Sequence, residues 1–281
     1  MRSYHFNPIL PAVIISILLA SCGGGNNNNP SPPQQQVFVP VGAEGQYSGS
    51  TFNSAGVSYG NDVHALILED GTFYSVWSEM QKPGALTFMT HGKGSVQADV
   101  FRSSQMRVLS FYGEPWPNPQ LSLIAPYVQG KSLNAGIEHL KLAEEITRAY
   151  LTYDPLYEQA AKLTDIAGSY SGTTYFGNGA NVTDSTPNTI PIVADATTFT
   201  VAASGAISGK GVSGCVSSGT LKTHAKANVF DVSFVFGDAP CVYAKTTVTG
   251  HAFIESKTKR LYVMTMQADN INGAVFAGLK N

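Results

Sequence analysis

Gly45-Gln46-Tyr47-Ser48-Gly49-Ser50-Thr51 recurs as Gly168-Ser169-Tyr170-Ser171-Gly172-Thr173-Thr174, with five of seven positions identical. Each copy opens a long stretch of alternating apolar and polar residues, so the echo marks the start of two copies of one module. In Thr72-Phe73-Tyr74-Ser75-Val76-Trp77-Ser78 the odd positions face away from Tyr74 and Val76, and Asp70-Gly71 supplies a hairpin turn before them. Residues 86–90, 96–101 and 106–112 continue this period of two. In the second half residues 198–202 and 206–208 flank Ser204-Gly205, followed by 216–223, 229–236, 246–254, 260–266 and 273–279. Residues 138–150 fit helical spacing as well, but Gly136 and the Tyr150-Leu151-Thr152-Tyr153 run favour strands. Asp154-Pro155 reads as an N-cap followed by proline at the first helical position. The expected fold class is all-β: two tandem antiparallel up-and-down β-barrel-like (or sandwich) domains joined by a short helix. The boundaries are 42–153, a linking helix over 154–166, and 167–281, with a separate core expected in each half.

Before these modules lies an address. Arg2 begins a weakly positive segment, residues 9–20 form an apolar run, and Leu19-Ala20-Ser21-Cys22-Gly23 ends it. The run is about 12 residues, short of the ~20 that span a bilayer. It reads as a lipoprotein signal peptide over 1–21, removed in the mature chain. Cys22 is then the lipid attachment site, because a diacylglycerol thioether needs its sulfur. Residues 22–41, with their Gly, Asn, Pro and Gln runs, offer little to bury and read as a flexible tether. Gly23 in place of Asp resembles lipoproteins sent to the bacterial outer membrane, on a face that the sequence leaves open.

Two cysteines remain. The strands 216–223 and 229–236, joined by His224-Ala225-Lys226-Ala227-Asn228, fold back so that Cys215 and Cys241 meet at the open end. Two thiols without a nearby pair of histidines make a poor zinc set. In an exported protein a disulfide is expected, closing a loop of about 25 residues and worth on the order of 3 kcal/mol.

Composition narrows the function. The 281 residues are 43% hydrophobic and only 13% charged, with a net charge of −2. That balance excludes a phosphate-neutralising surface, so no nucleic acid partner is expected. No basic run suits a polybasic membrane patch, so the membrane is met through the lipid. Gly209-Lys210-Gly211-Val212-Ser213-Gly214 matches a dinucleotide fingerprint but runs into a strand, where the chemistry needs a helix N-terminus. Gly205-Ala206-Ile207-Ser208-Gly209-Lys210 is one residue short of a P-loop. No nucleophile elbow or zinc-protease helix is present. His64, His91, His139, His224 and His251 read as strand or turn residues, so no catalytic group, cofactor or metal is assigned. Phe111-Tyr112-Gly113-Glu114-Pro115-Trp116 is a rigid aromatic loop. Phe111, Tyr112 and Trp116 suit a contact surface. Trp116 equally suits a plug for an open barrel end. Residues 176–191 read as a second long loop.

The second half carries a resemblance: Gly168-Ser169-Tyr170-Ser171-Gly172, Ser204-Gly205, Gly214-Cys215, the run from Phe230 to Phe236, Pro240-Cys241, Thr249-Gly250-His251-Ala252, Arg260-Leu261-Tyr262 and Phe276-Ala277-Gly278. It is similar to a widespread type of uncharacterised proteobacterial outer-membrane lipoprotein, which implies paired barrel-like domains and no carried-over activity. In outline, lipobox, glycine tract and paired barrels also resemble the transferrin-binding and factor H-binding surface lipoproteins. The expected function is a non-enzymatic, outer-membrane-anchored binding module for a protein or small ligand. The alternative is a structural or envelope-maintenance lipoprotein without a specific ligand.

Overall fold

The computed structural model describes residues 37–52, 56–79, 82–111, 121–139, 144–179 and 193–281. The fold is all-β, and the described residues pack as one compact unit. The first module supplies β1 (Gly45–Phe52), β2 (Ser58–Ile67), β3 (Thr72–Glu79), β4 (Lys82–Lys93), β5 (Ser95–Gln97), β6 (Val100–Ser110), β7 (Leu121–Val128), β8 (Ser132–His139) and β9 (Glu144–Tyr153). Strands β1, β2, β3, β4, β6, β7, β8 and β9 pair antiparallel in that order, and β9 returns to β1, closing a barrel. The short β5 pairs only with β6. The expected strand over 96–101 is instead a hairpin: Ala98 and Asp99 both take positive φ between β5 and β6. Without glycine at either position, the turn left little mark on the sequence.

The second module supplies β10 (Gly168–Asn178), β11 (Val193–Val201), β12 (Ala206–Gly211), β13 (Val216–Thr223), β14 (Phe230–Phe236), β15 (Thr247–Ile254), β16 (Leu261–Met266) and β17 (Asn272–Lys280). Each pairs with the next, and β17 closes on β10. Phe176, expected in a loop, belongs to β10 and is buried. The repeated heptapeptides thus occupy the same place, the first strand of each barrel. Tyr47 Oη donates to the Ala43 carbonyl at 2.9 Å, and Tyr170 Oη to the Ile166 carbonyl at 2.6 Å. Both phenols are wholly buried. Two residues on, a Cβ at Gly49 would lie 1.9 Å from the Tyr150 carbonyl oxygen, and one at Gly172 2.1 Å from that of Ala277. The two glycines are therefore where the closing strands β9 and β17 pass closest.

Between the barrels the continuous helix expected over 154–166 is broken. A 3-10 turn spans Pro155–Glu158, capped as expected by the Asp154 side chain on the Leu156 N–H at 3.0 Å. A single α-helical turn, α1 (Leu163–Ile166), follows. Tyr157 buries its ring beside Tyr153 in the first core, and Ile166 is buried in the second.

The buried apolar residues form two clusters, one centred on each barrel interior, and the boundary between them does not follow the boundary between the two halves of the chain. The apolar cluster of the first barrel continues into outward-facing residues of the second: Tyr175, Phe253, Tyr262, Met264, Met266, Val275 and Ala277. They meet the outer face of β2, β3 and β4, where Leu66, Val76 and Met89 are fully buried. Strands in this wall are covered on both sides. β16 is buried at every position, whereas β14, which faces solvent, alternates strictly. Among the described residues no helix is long and apolar enough to cross a membrane.

Candidate functional site

The barrel interiors are filled. In the first, Phe73, Trp77, Leu123, Leu133, Ile137 and Leu151 leave about 30 Å³, room for about one water. A hydroxyl chain pairs three of its polar side chains: Trp77 Nε1 donates to Ser75 Oγ at 2.8 Å, and Ser75 Oγ meets Thr90 Oγ1 at 2.6 Å. In the second, Phe199 stacks on Phe276 at 4.9 Å, with Phe234 and Phe236 packed beside them. These barrels act as scaffolds.

Space lies instead along the seam between them. A cleft of about 680 Å³ is lined by Tyr74, His91, Lys93, Gln105 and Arg107 of the first barrel and by Met266 and Asn270 of the second. Outward residues of β3, β4 and β6 build one wall, and the β16–β17 turn builds the other. Lys93 Nζ is held by Asp70 at 3.1 Å, and Arg107 donates to the Gly179 carbonyl at 3.1 Å. Burial, with the Arg107 charge adding to it, lowers the His91 pKa to about 4, so this imidazole is neutral at pH 7. Its Nε2 is buried without a hydrogen-bond partner.

Tyr74 connects the cleft to a second polar group, its ring lying 5.5 Å from His251. On the outer face of the second barrel Asp231 (β14) and His251 (β15) stand directly opposite in register, and His224 begins the neighbouring hairpin loop. His224 Nδ1 is 2.6 Å from Asp231 Oδ1, and His251 Nε2 is 3.4 Å from the same oxygen. Glu69, from the β2–β3 turn of the first barrel, reaches His224 Nε2 at 3.3 Å. Burial alone would lower the His224 pKa, but hydrogen bonds and charge from Asp231 and Glu69 outweigh it and raise it. For His251 burial prevails over Asp231, and its pKa falls. His224 and His251 were expected to be ordinary strand and turn residues, and nothing in the sequence singled out Asp231. Only the pairing register brings them together, and Glu69 comes from a different barrel.

The residues singled out in the sequence fare differently. Cys215 and Cys241 are joined, with Cα atoms 4.6 Å apart, linking the β12–β13 turn to the segment after β14. Phe111 is not a contact residue: it is 2% exposed, packed against Tyr175 at the inter-barrel wall. Tyr112, Trp116 and the lipobox with Cys22 lie outside the described residues. The glycine-rich segment 209–214 is a strand end whose Ser213 N–H and hydroxyl are both taken by the Asp195 carboxylate, at 3.1 and 2.5 Å. It has no N–H groups assembled for a phosphate.

Fold and site together define a class: paired, filled antiparallel barrels with a polar seam. No protein-family model matches the chain, and no curated protein matches it. Solved structures similar to it include a candidate outer membrane protein of Bacteroides fragilis, 12% identical, with 84% of this chain and 97% of that chain covered at a TM-score of 0.25. A mutant transferrin-binding protein B of Haemophilus parasuis is 13% identical, with 80% of this chain and 52% of that one covered at 0.30. The transferrin-binding protein B of serogroup B Neisseria meningitidis is 10% identical over 87% and 69%, also at 0.30. These are the kinds of protein the sequence resemblance pointed to, and at these values the likeness is one of outline.

Proposed function

We propose that the chain is a lipid-anchored bacterial outer-membrane lipoprotein, held through Cys22, that binds a small polar ligand in the cleft between its barrels without acting on it chemically. The observation that carries this reading is the distribution of space. The first barrel's interior holds about 30 Å³ and the seam about 680 Å³, within the range of small-ligand sites. The cleft offers Gln105 amide, Tyr74 hydroxyl and Arg107 guanidinium groups beside the Met266 side chain, a lining suited to orientation and weak desolvation. The lipobox supports the anchor: two or three acyl chains, at about 0.8 kcal/mol per buried CH₂, hold a protein stably on a leaflet.

Native mass spectrometry of the protein extracted from membranes tests the site. A small-molecule adduct is expected on the wild type and absent from Ser104→Trp, whose indole fills the exposed cleft wall. The same adduct on both, or none on either, favours the structural, envelope-maintenance reading, to which the filled interiors also lend themselves. The anchor has its own test. Cys22→Ser is expected to abolish labelling by radioactive palmitate and to leave unprocessed precursor. Normal labelling would remove the lipoprotein reading.

A further inference from the structure

We infer that His224, His251 and Asp231 form a binding site for a divalent transition metal of the zinc class, with Glu69 of the other barrel as its positioning residue. Two imidazoles and a carboxylate converge from three chain segments, and their ligand atoms all lie within 4.8 Å of one another. Zinc bonds of ~2.0–2.2 Å put ligand atoms roughly 3.5 Å apart, so the set must contract by about 1 Å at its widest. The two distances to Asp231 Oδ1 are already 2.6 and 3.4 Å, so the widest gap lies between the imidazole nitrogens, and small rotations of the His224 and His251 rings close it. The Asp231 side chain is 50% exposed against 17% and 18% for His224 and His251, so ion and water arrive from the Asp231 side onto drier imidazoles.

His251 needs such a partner. Its Nε2 contact to Asp231 at 3.4 Å is too long to satisfy a buried imidazole well. An ion at Nε2 gives the ring a strong partner. His224 has the geometry that metal-binding histidines usually show. Its Nδ1 faces the cluster and its Nε2 faces a carboxylate, Glu69, which fixes tautomer and ring orientation. Nitrogen with one carboxylate oxygen suits zinc, cobalt or nickel, whereas calcium and magnesium prefer all-oxygen sets. Three protein ligands leave one position for water. Because Glu69 belongs to the first barrel and the ligands to the second, a bound ion also ties the seam together. The inference is independent of what the cleft binds and of the lipid anchor.

The test uses the full chain, purified and stripped with a chelator, then titrated with Co²⁺ as a spectroscopic probe and with Zn²⁺ in competition. One equivalent is expected to bind, with the absorption of nitrogen and oxygen ligation and with a rise in melting temperature. Asp231→Asn, nearly isosteric and half exposed, preserves the fold and is expected to weaken Zn²⁺ binding at least 100-fold, as is His251→Ala. Glu69→Ala is expected to weaken it about tenfold, with part of the loss recovered in Glu69→Gln, as for other orienting carboxylates. Binding of equal strength in Asp231→Asn, or no saturable binding to the wild type below about 1 mM, overturns the site. Unchanged affinity in Glu69→Ala overturns the positioning role.

Discussion

At Tyr47 and Tyr170 a single atom decides how each barrel begins. The phenol oxygen reaches back four residues to a carbonyl that no strand partner uses, and holds the chain where it turns into the first strand. Burial is the first reason that both phenols resist ionisation. Tyr→Phe at either position keeps the packing and removes one buried hydrogen bond, so a loss of about 1 kcal/mol is expected, rising if the carbonyl stays dry. The glycines two residues on have no room for a side chain. Gly49→Ala or Gly172→Ala forces β9 or β17 off its partner, and roughly 2–3 kcal/mol is expected. Denaturant titration of the four variants checks both. An unchanged midpoint for Gly172→Ala would sink the close-passage account.

Single elements were the most legible level of this sequence. Val216–Thr223 and the strand ending at Phe236 stand where alternation put them, because one face of each looks into the barrel and the other into water. The disulfide followed from that hairpin. The hairpin at Ala98-Asp99 was missed because neither position is glycine, and the expected helix over 154–166 is broken because Gln159 and Lys162 are extended. The inter-barrel wall did leave a trace. Leu261-Tyr262-Val263-Met264-Thr265-Met266 and Ala274-Val275-Phe276-Ala277 are nearly continuous apolar runs, the mark of strands covered on both faces. The His224 cluster left none, since its geometry depends on register and on a second barrel. This wall changes what loss of the disulfide does. Replacing Cys215 and Cys241 together by Ser is expected to cost about 2–4 kcal/mol. Because the core runs across the seam, that loss is expected in β3 amides as well as β16 amides by native-state hydrogen exchange. Protection lowered only in β10 to β17 would make the seam a weak contact between independent units.

For the molecule as a whole, the seam is also where acid acts. His64, whose ring lies 4.8 Å from that of Tyr262, and His91, which lines the seam cleft with Asn270, both stand between the barrels. Burial lowers each pKa from 6.5 to about 4. Around His64 the charges of Glu255 and Asp62 oppose the shift and those of Arg260 and Lys257 favour it; beside His91 Arg107 favours it. In the unfolded chain these imidazoles take up protons near pH 6.5, and in the native protein only near pH 4. Between those values the unfolded state binds more protons, so stability is full above about pH 6.5 and declines as pH falls towards 4. Each histidine contributes at most about 3 kcal/mol to that decline. Charging two imidazoles in an apolar wall works against contact between barrels whose interiors, among the described residues, contain no lowered histidine, so the seam is expected to open first. Hydrogen exchange at pH 4.5 should show β3 and β16 losing protection before β12 and β13. In the His64→Gln, His91→Gln double variant the stability difference between pH 7 and pH 4.5 should shrink by several kcal/mol, whatever its stability at neutral pH. An equally steep decline in that variant would place the acid sensitivity in the carboxylates and not in the seam.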